Sequence, residues 1–160
     1  MAGNENDTAI LPSVWDRLCD PDSRGTVARP WYDVATMIDR IRSDLNDLLN
    51  TRRTDQGLCP SLPRTAESML AYGFPGLGSL ELTSRERIAE IGRAIEASVA
   101  RFEPRMHQVR ATPLPNPGGP VHSVRFRIEG ALKLDAAPDV AFETTLELTT
   151  GRQTIGPAKA

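Results

Sequence analysis

The stretch Ile88-Ala-Glu-Ile-Gly-Arg-Ala-Ile-Glu-Ala-Ser-Val-Ala-Arg-Phe-Glu-Pro-Arg-Met-His-Gln-Val-Arg-Ala111 decides the fold, because it holds a helix, a rigid corner and the first strand of a sheet in one run. Ile88, Ile91, Ile95, Val99 and Phe102 recur at steps of three and four, one stripe of a 3.6-residue helix, while Arg87, Glu90, Arg93, Glu96 and Arg101 lie off it. Thr83 followed three residues later by Glu86 fits a capping box that starts this helix. Pro104 ends it: proline has no amide to donate and pushes Glu103 out of the helical region. If Glu103 and Arg105 are both extended, the two-residue period aims an acid and a base to the same side.

Toward the C-terminus the pattern changes to strands. Met106 to Thr112 is the first, and the proline- and glycine-rich run from Pro113 to Pro120 is a connection that neither helix nor sheet can use. From Val121 to Leu134, Val124, Phe126, Ile128, Leu132 and Leu134 alternate with Arg125, Arg127, Glu129 and Lys133, so one face is buried and one is wet. Val140, Phe142, Leu146 and Leu148 alternate with Glu143, Thr145, Glu147 and Thr149, and the link Asp135 to Asp139 makes these two strands a hairpin. Arg125 and Arg127 then face Glu143 or Glu147 across the ladder, as a solvated face or a docking surface. Gly130 falls on the inward phase, where a missing side chain lets a helix approach or admits a bulge. A three-stranded sheet leaves two open edges. Val140 to Thr149, rich in Thr, Leu and Phe with no proline, has the profile of a strand waiting for a partner.

Toward the N-terminus, Val34, Met37, Ile38, Ile41, Leu45, Leu48 and Leu49 mark one face of a helix from about Trp31 to Asn50. It closes on Asn50-Thr51-Arg52-Arg53, which puts two arginines where the helix dipole is negative. Thr65 to Tyr72 can form two turns of helix stopped by Gly73, and Leu11, Val14, Trp15 and Leu18 mark a shorter one. The architecture that follows is α+β, with N-terminal helices packed on one face of a three-stranded antiparallel sheet. Its organisation is an N-terminal arm with a short helix over 1–29 and a single domain over 30–160, in keeping with a length of 160 residues.

A net charge of −2 argues against a nucleic-acid binder, whose footprint is a basic surface. Met1 to Asp7 carries neither a basic nor an apolar leader pattern, and no run is long enough to span a bilayer, so the expected location is cytoplasmic. Cys19 and Cys59 have no metal-ligand spacing and read as free thiols; no cofactor or metal is signalled.

Six segments in order, Leu11-Pro-Ser-Val-Trp-Asp-Arg-Leu18, Asp44-Leu-Asn-Asp-Leu-Leu-Asn-Thr-Arg-Arg53, Ser68-Met-Leu-Ala-Tyr-Gly-Phe-Pro75, Phe102-Glu-Pro-Arg105, Phe126-Arg-Ile-Glu-Gly130 and Thr149-Thr-Gly-Arg152, give the chain its resemblance to a known family. It resembles the baseplate wedge subunit of type VI secretion systems, TssE, itself similar to a wedge protein of contractile phage tails that carries a lysozyme-like label. The connection 113–120 is longer than the family's, and Met106 stands where the family often has leucine. The resemblance implies a structural component rather than an enzyme. It would sit beside other wedge subunits (TssF, TssG, TssK) and anchor the first ring of the contractile sheath (TssB, TssC). The protein-binding residues implied are Glu103, Pro104 and Arg105, with Arg52 and Arg53 of the second segment.

Two other classes stay in view. A regulatory anti-adaptor that works by occupying a partner is similar in fold to this family, and fold alone does not separate the two roles. A peptidoglycan hydrolase needs two carboxylates about 5–9.5 Å apart, one with a raised pKa. Arg105 beside Glu103 works against that, and Glu129, Glu143 and Glu147 fall on wet strand positions. His107 and His122 lie near strand starts without a nucleophile or metal spacing beside them.

Overall fold

The computed structural model of the chain describes residues 18, 33–53, 64, 68–75, 84–115, 122–133 and 139–158. Residues 1–41 and 42–160 form two compact units, with the boundary inside the first long helix. The short helix expected over Leu11–Leu18 lies outside the described residues except for Leu18, which is helical and exposed, and Cys19 and Cys59 lie outside them too.

Helix α1 runs from Val34 to Asn50. It starts at Val34 rather than near Trp31 because Asp33 is its cap: the Asp33 carboxylate accepts the Thr36 amide at 2.7 Å. Hydrogen bonds from Thr36, side chain and then amide, hold the Asp33 carboxyl below its ordinary range. The buried residues Met37, Ile41, Leu45, Leu48 and Leu49 keep helical spacing. Past Asn50 the chain leaves the helix at once, and Arg52–Arg53 form strand β1 instead of a basic last turn. β1 pairs in parallel with β2, Phe74–Pro75, and the Phe74 amide donates to the Thr51 carbonyl at 2.8 Å. Before β2, residues 65–67 of the expected two turns of helix lie outside the described residues, and Met69–Ala71 form a 3-10 turn capped by the Ser68 hydroxyl. Gly73 then adopts φ 110°, and a Cβ there would lie 2.4 Å from the Thr51 carbonyl oxygen, so only glycine fits.

Helix α2, Arg85–Phe102, buries Ile91, Ile95 and Val99 as its periodicity requires. Its cap is Ser84, which accepts the Arg87 amide at 3.2 Å, one residue later than the Thr83–Glu86 box. Glu86 instead sits in the first turn, where the helix dipole favours an anion.

The sheet has four antiparallel strands in the order β3-β4-β5-β6, spanning Met106–Leu114, Ser123–Leu132, Asp139–Glu147 and Gln153–Pro157. The α+β class holds, but the three-stranded sheet expected from sequence gains a fourth strand. Gly151 (φ 72°) makes the turn back, with its amide on the Glu147 carbonyl at 2.8 Å, and lays β6 along β5. β5 is therefore not an edge, because Thr145 stands opposite Thr154 and the strand profile that looked unpartnered is satisfied within the chain. Strand β3 also extends through Pro113 and Leu114. Pro113 is tolerated because β3 is an edge strand, where an outward position needs no amide.

Helix α2 packs along β3. Gly92 allows the approach: a Cβ there would lie 3.2 Å from the Ala111 carbonyl oxygen and 3.6 Å from the Phe126 ring. Between His107 and Arg110 the register with β4 slips by one residue, a β-bulge in which Gln108 takes φ 53°. Gly130 faces that bulge, and a Cβ on it would come within 2.8 Å of Met106 Cε and 3.2 Å of the His107 carbonyl. The extra residue resets the phase, so that Met106 opposite Leu132 and Ala111 opposite Ile128 both look inward.

The end of α1 is tied to β6 by side chains. The Asn50 side-chain amide donates to the Gln153 carbonyl at 2.9 Å and accepts the Gln153 amide at 2.9 Å, the two bonds a neighbouring strand would make. Buried Gln153 also donates to the Leu49 carbonyl at 3.3 Å and accepts the buried Thr144 hydroxyl at 3.4 Å, which satisfies one of the helix's orphan carbonyls. Asn50→Ala is expected to cost about 1–3 kcal/mol, two hydrogen bonds' worth, read as a lower urea midpoint at unchanged slope.

Candidate functional site

The corner after α2 is a turn and not the extended pair that sequence alone suggested. Glu103 closes the helix with its amide on the Val99 carbonyl at 2.9 Å. Its own carbonyl accepts the Met106 amide at 3.2 Å, which folds Pro104 and Arg105 into a tight reverse turn. The Glu103 carboxylate bends over this turn and accepts the Arg105 amide at 3.2 Å, Arg105 Nε at 2.7 Å and an Arg105 terminal nitrogen at 2.5 Å. Acid and base do converge, but by folding back on each other in a two-point fork.

Arg105 also reaches Asp44 on α1, sixty-one residues away in sequence, so one guanidinium joins the α1 helix to the α2–β3 corner. Sequence reasoning missed Asp44, which lay on a helix face that reads as solvated. Burial works against the charge on Arg105, but the hydrogen bonds and fields of Glu103 and Asp44 outweigh it and raise its pKa further above its already high value. Nearby, Tyr72 packs edge-on against Phe102 with ring centroids 5.3 Å apart. Partial burial, then the charges of Asp47, Asp44 and Glu103, push its phenol above the ordinary tyrosine value.

The burial of this site differs from its expected surface position. The Glu103 side chain is only 4% exposed, against 26% for Arg105 and 51% for Asp44. Pro104 is exposed and Arg105 half-buried, while Glu103 is held inside the clasp. Arg52 and Arg53 sit elsewhere, on β1: Arg53 is half-buried, and exposed Arg52 lines a groove of about 290 Å³ with Asn50, Phe74, Pro75 and Thr149.

On the outer sheet face Arg125 and Arg127 both reach Glu143, the latter at 3.4 Å, and Glu129 and Glu147 are exposed. Glu143 departs from the wet position expected, since its side chain is 13% exposed beneath the two guanidinium groups. His107 is half-buried and His122 exposed. Among the described residues no group of three or more His, Cys, Asp or Glu is placed to hold a metal ion, and no helix is long and apolar enough to cross a membrane.

The second feature is the free edge of β6. Gln153 points its amide and carbonyl away from β5, toward Asn50, so by alternation Ile155 and Pro157 point outward as well. Gln153 is closed by Asn50 and Pro157 has no amide, so among the described residues Ile155 is the outward residue of β6 with both a donor and an acceptor to offer.

Arg105→Ala is expected to cost about 3–5 kcal/mol, the cost of stranding a buried carboxylate. Asp44→Asn, at a half-exposed position, is expected to cost under about 1 kcal/mol; both are read from urea denaturation. For Tyr72 the raised phenol pKa gives stability that is fully present below the unfolded tyrosine value near 10 and lost as pH rises through the folded value. Tyr72→Phe is therefore expected to flatten the alkaline fall in stability above about pH 10, measured by thermal melts across that range.

A model of the family described as Baseplate wedge protein gp25 matches residues 35–137, from the start of α1 through β4. No curated protein matches the chain.

Proposed function

The chain belongs to the baseplate wedge protein gp25 family, and from that membership we propose its role in full: it is the TssE-type wedge subunit of a type VI secretion baseplate, and it anchors the contractile sheath. Its family is one of structural components of phage-tail-like baseplates. The partners proposed are the wedge subunits TssF, TssG and TssK and the sheath subunits TssB and TssC, in the cytoplasm, with no catalytic step and no cofactor.

The observation that carries the sheath part of this reading is the edge of β6. Ile155 offers an outward amide and carbonyl at the margin of a twisted antiparallel sheet, which is what an extended arm needs in order to add a strand. Main-chain hydrogen bonds supply affinity there, and alternating side chains fix the register. The half-buried Ile155 side chain lies opposite Thr144 on the inner face, so an added strand would also cover apolar surface. The wedge contact is proposed for exposed Pro104 and the rim of Arg105, with Glu103 as the residue that holds them rigid. Arg52 on its groove beside β1 is the second wedge contact, with Arg53 next to it in the strand.

Ile155→Pro tests the reading, because it deletes the outward amide while the bonds of Thr154 and Gly156 to β5 remain. The variant is expected to fold, to co-purify wedge subunits from cells and to lose the sheath subunits. Sheath subunits recovered at the native level with the folded variant would overturn docking at β6.

A further inference from the structure

The opposite edge of the sheet, β3, is built in the contrary sense. Ala111 presents its amide and carbonyl away from β4, toward helix α2, which takes the amide and packs close to the carbonyl. The Glu96 carboxylate accepts the Ala111 amide at 2.9 Å, and Gly92 brings the helix backbone up to the Ala111 carbonyl. Two residues on, Pro113 shares the outward phase and has no amide to offer. On the other side of Ala111 the bulge at His107–Arg110, with Gln108 in the left-handed region, bends the strand out of regular pairing. Three different devices therefore act along one edge, while among the described residues nothing takes the outward groups of Ile155 on the β6 edge.

A chain with one open edge and one regular edge could add to itself head to tail, and such a heterologous contact does not close. We propose that Glu96 is a gatekeeper of the β3 edge: by occupying the Ala111 amide from α2, it prevents β3 from pairing with the β6 edge of a second copy of this chain. Glu96 stands off the apolar stripe of α2 and contributes nothing to the buried residues Ile91, Ile95 and Val99. Its reach to a backbone amide on the sheet is what an edge closure requires, since a carboxylate accepts strongly and has no donor with which to invite a strand. The one-sidedness makes the sheet a terminus: it can receive a strand at β6 and passes none on at β3. This rests on the β6 edge being the receptive one, as proposed above.

The first test is amide hydrogen exchange on the unaltered chain. Ala111 should exchange more slowly than the outward amide of Ile155 by about tenfold or more, as befits a hydrogen-bonded edge amide. The second is sedimentation velocity over a concentration series. Glu96→Ala is expected to gain concentration-dependent self-association that is absent from the native chain and from Glu96→Gln, which keeps the accepting oxygen. Adding Ile155→Pro to Glu96→Ala is expected to abolish it. A folded Glu96→Ala variant that sediments like the native chain would overturn the gatekeeper role. Association that survives Ile155→Pro would overturn β6 as the partner edge. Should Glu96→Ala fail to fold, Ala111 exchange in the native chain decides alone, and a rate equal to that of Ile155 sinks the proposal. Loss of the sheath-docking reading leaves the Ala111 result unchanged, so the two failures are distinguishable.

Discussion

An open β-sheet must do something with the backbone groups along its two edges, and that constraint organises this protein more than its core does. Each long helix supplies one polar side chain to an edge strand. Asn50 at the end of α1 makes two bonds to the outward groups of Gln153, and Glu96 on α2 accepts the outward amide of Ala111. Apolar burial brings α2 to the sheet, but it is non-directional and tolerates sliding. These bonds fix where along the edges the end of α1 and the middle of α2 come to rest. The two outward prolines, Pro113 and Pro157, finish the same task by having no amide to satisfy.

The second constraint is electrostatic. A buried carboxylate, as that of Glu103 is, demands a partner of opposite charge at short range and hydrogen bonds for its remaining lone pairs. Arg105 meets both demands through its side chain and its own amide, and it shares one terminal nitrogen between Glu103 and Asp44. The tight turn makes this possible, since Pro104 brings residues two apart into register for a fork that no extended strand would allow. The same clasp that stabilises the corner also makes it rigid, so an exposed Pro104 is presented in one orientation.

The two sheet faces divide the labour. Phe126, Ile128, Phe142 and Leu146 are 0–1% exposed on the inner face, while Arg125, Arg127 and Glu143 form a half-covered charged network on the outer one. The bulge opposite Gly130 lets both faces keep their phase on β3, because the extra residue turns Met106 inward together with Ala111.

The sequence by itself determined α2, the end of α2 at Pro104, the buried face of α1 and the hairpin of β4 and β5, because these depend on periods of 3.6 or 2 and on proline, all read within a few residues. It also pointed to the Glu103–Arg105 pair, two residues apart, though not to its burial. What only the tertiary structure decided has partners far along the chain: Asn50 with Gln153, Arg105 with Asp44, Glu96 with Ala111, and strand β6 itself. Gln153-Thr-Ile-Gly-Pro157 is short, has little alternation and ends on Gly156 and Pro157, so little in it locally marks a strand despite Thr154 and Ile155. It becomes one because β5 offers a ladder on one side and Asn50 closes the other. A hydrophobic stripe records where a residue is buried, whereas a hydrogen-bond partner is set by which elements meet, and only the folded chain brings those together.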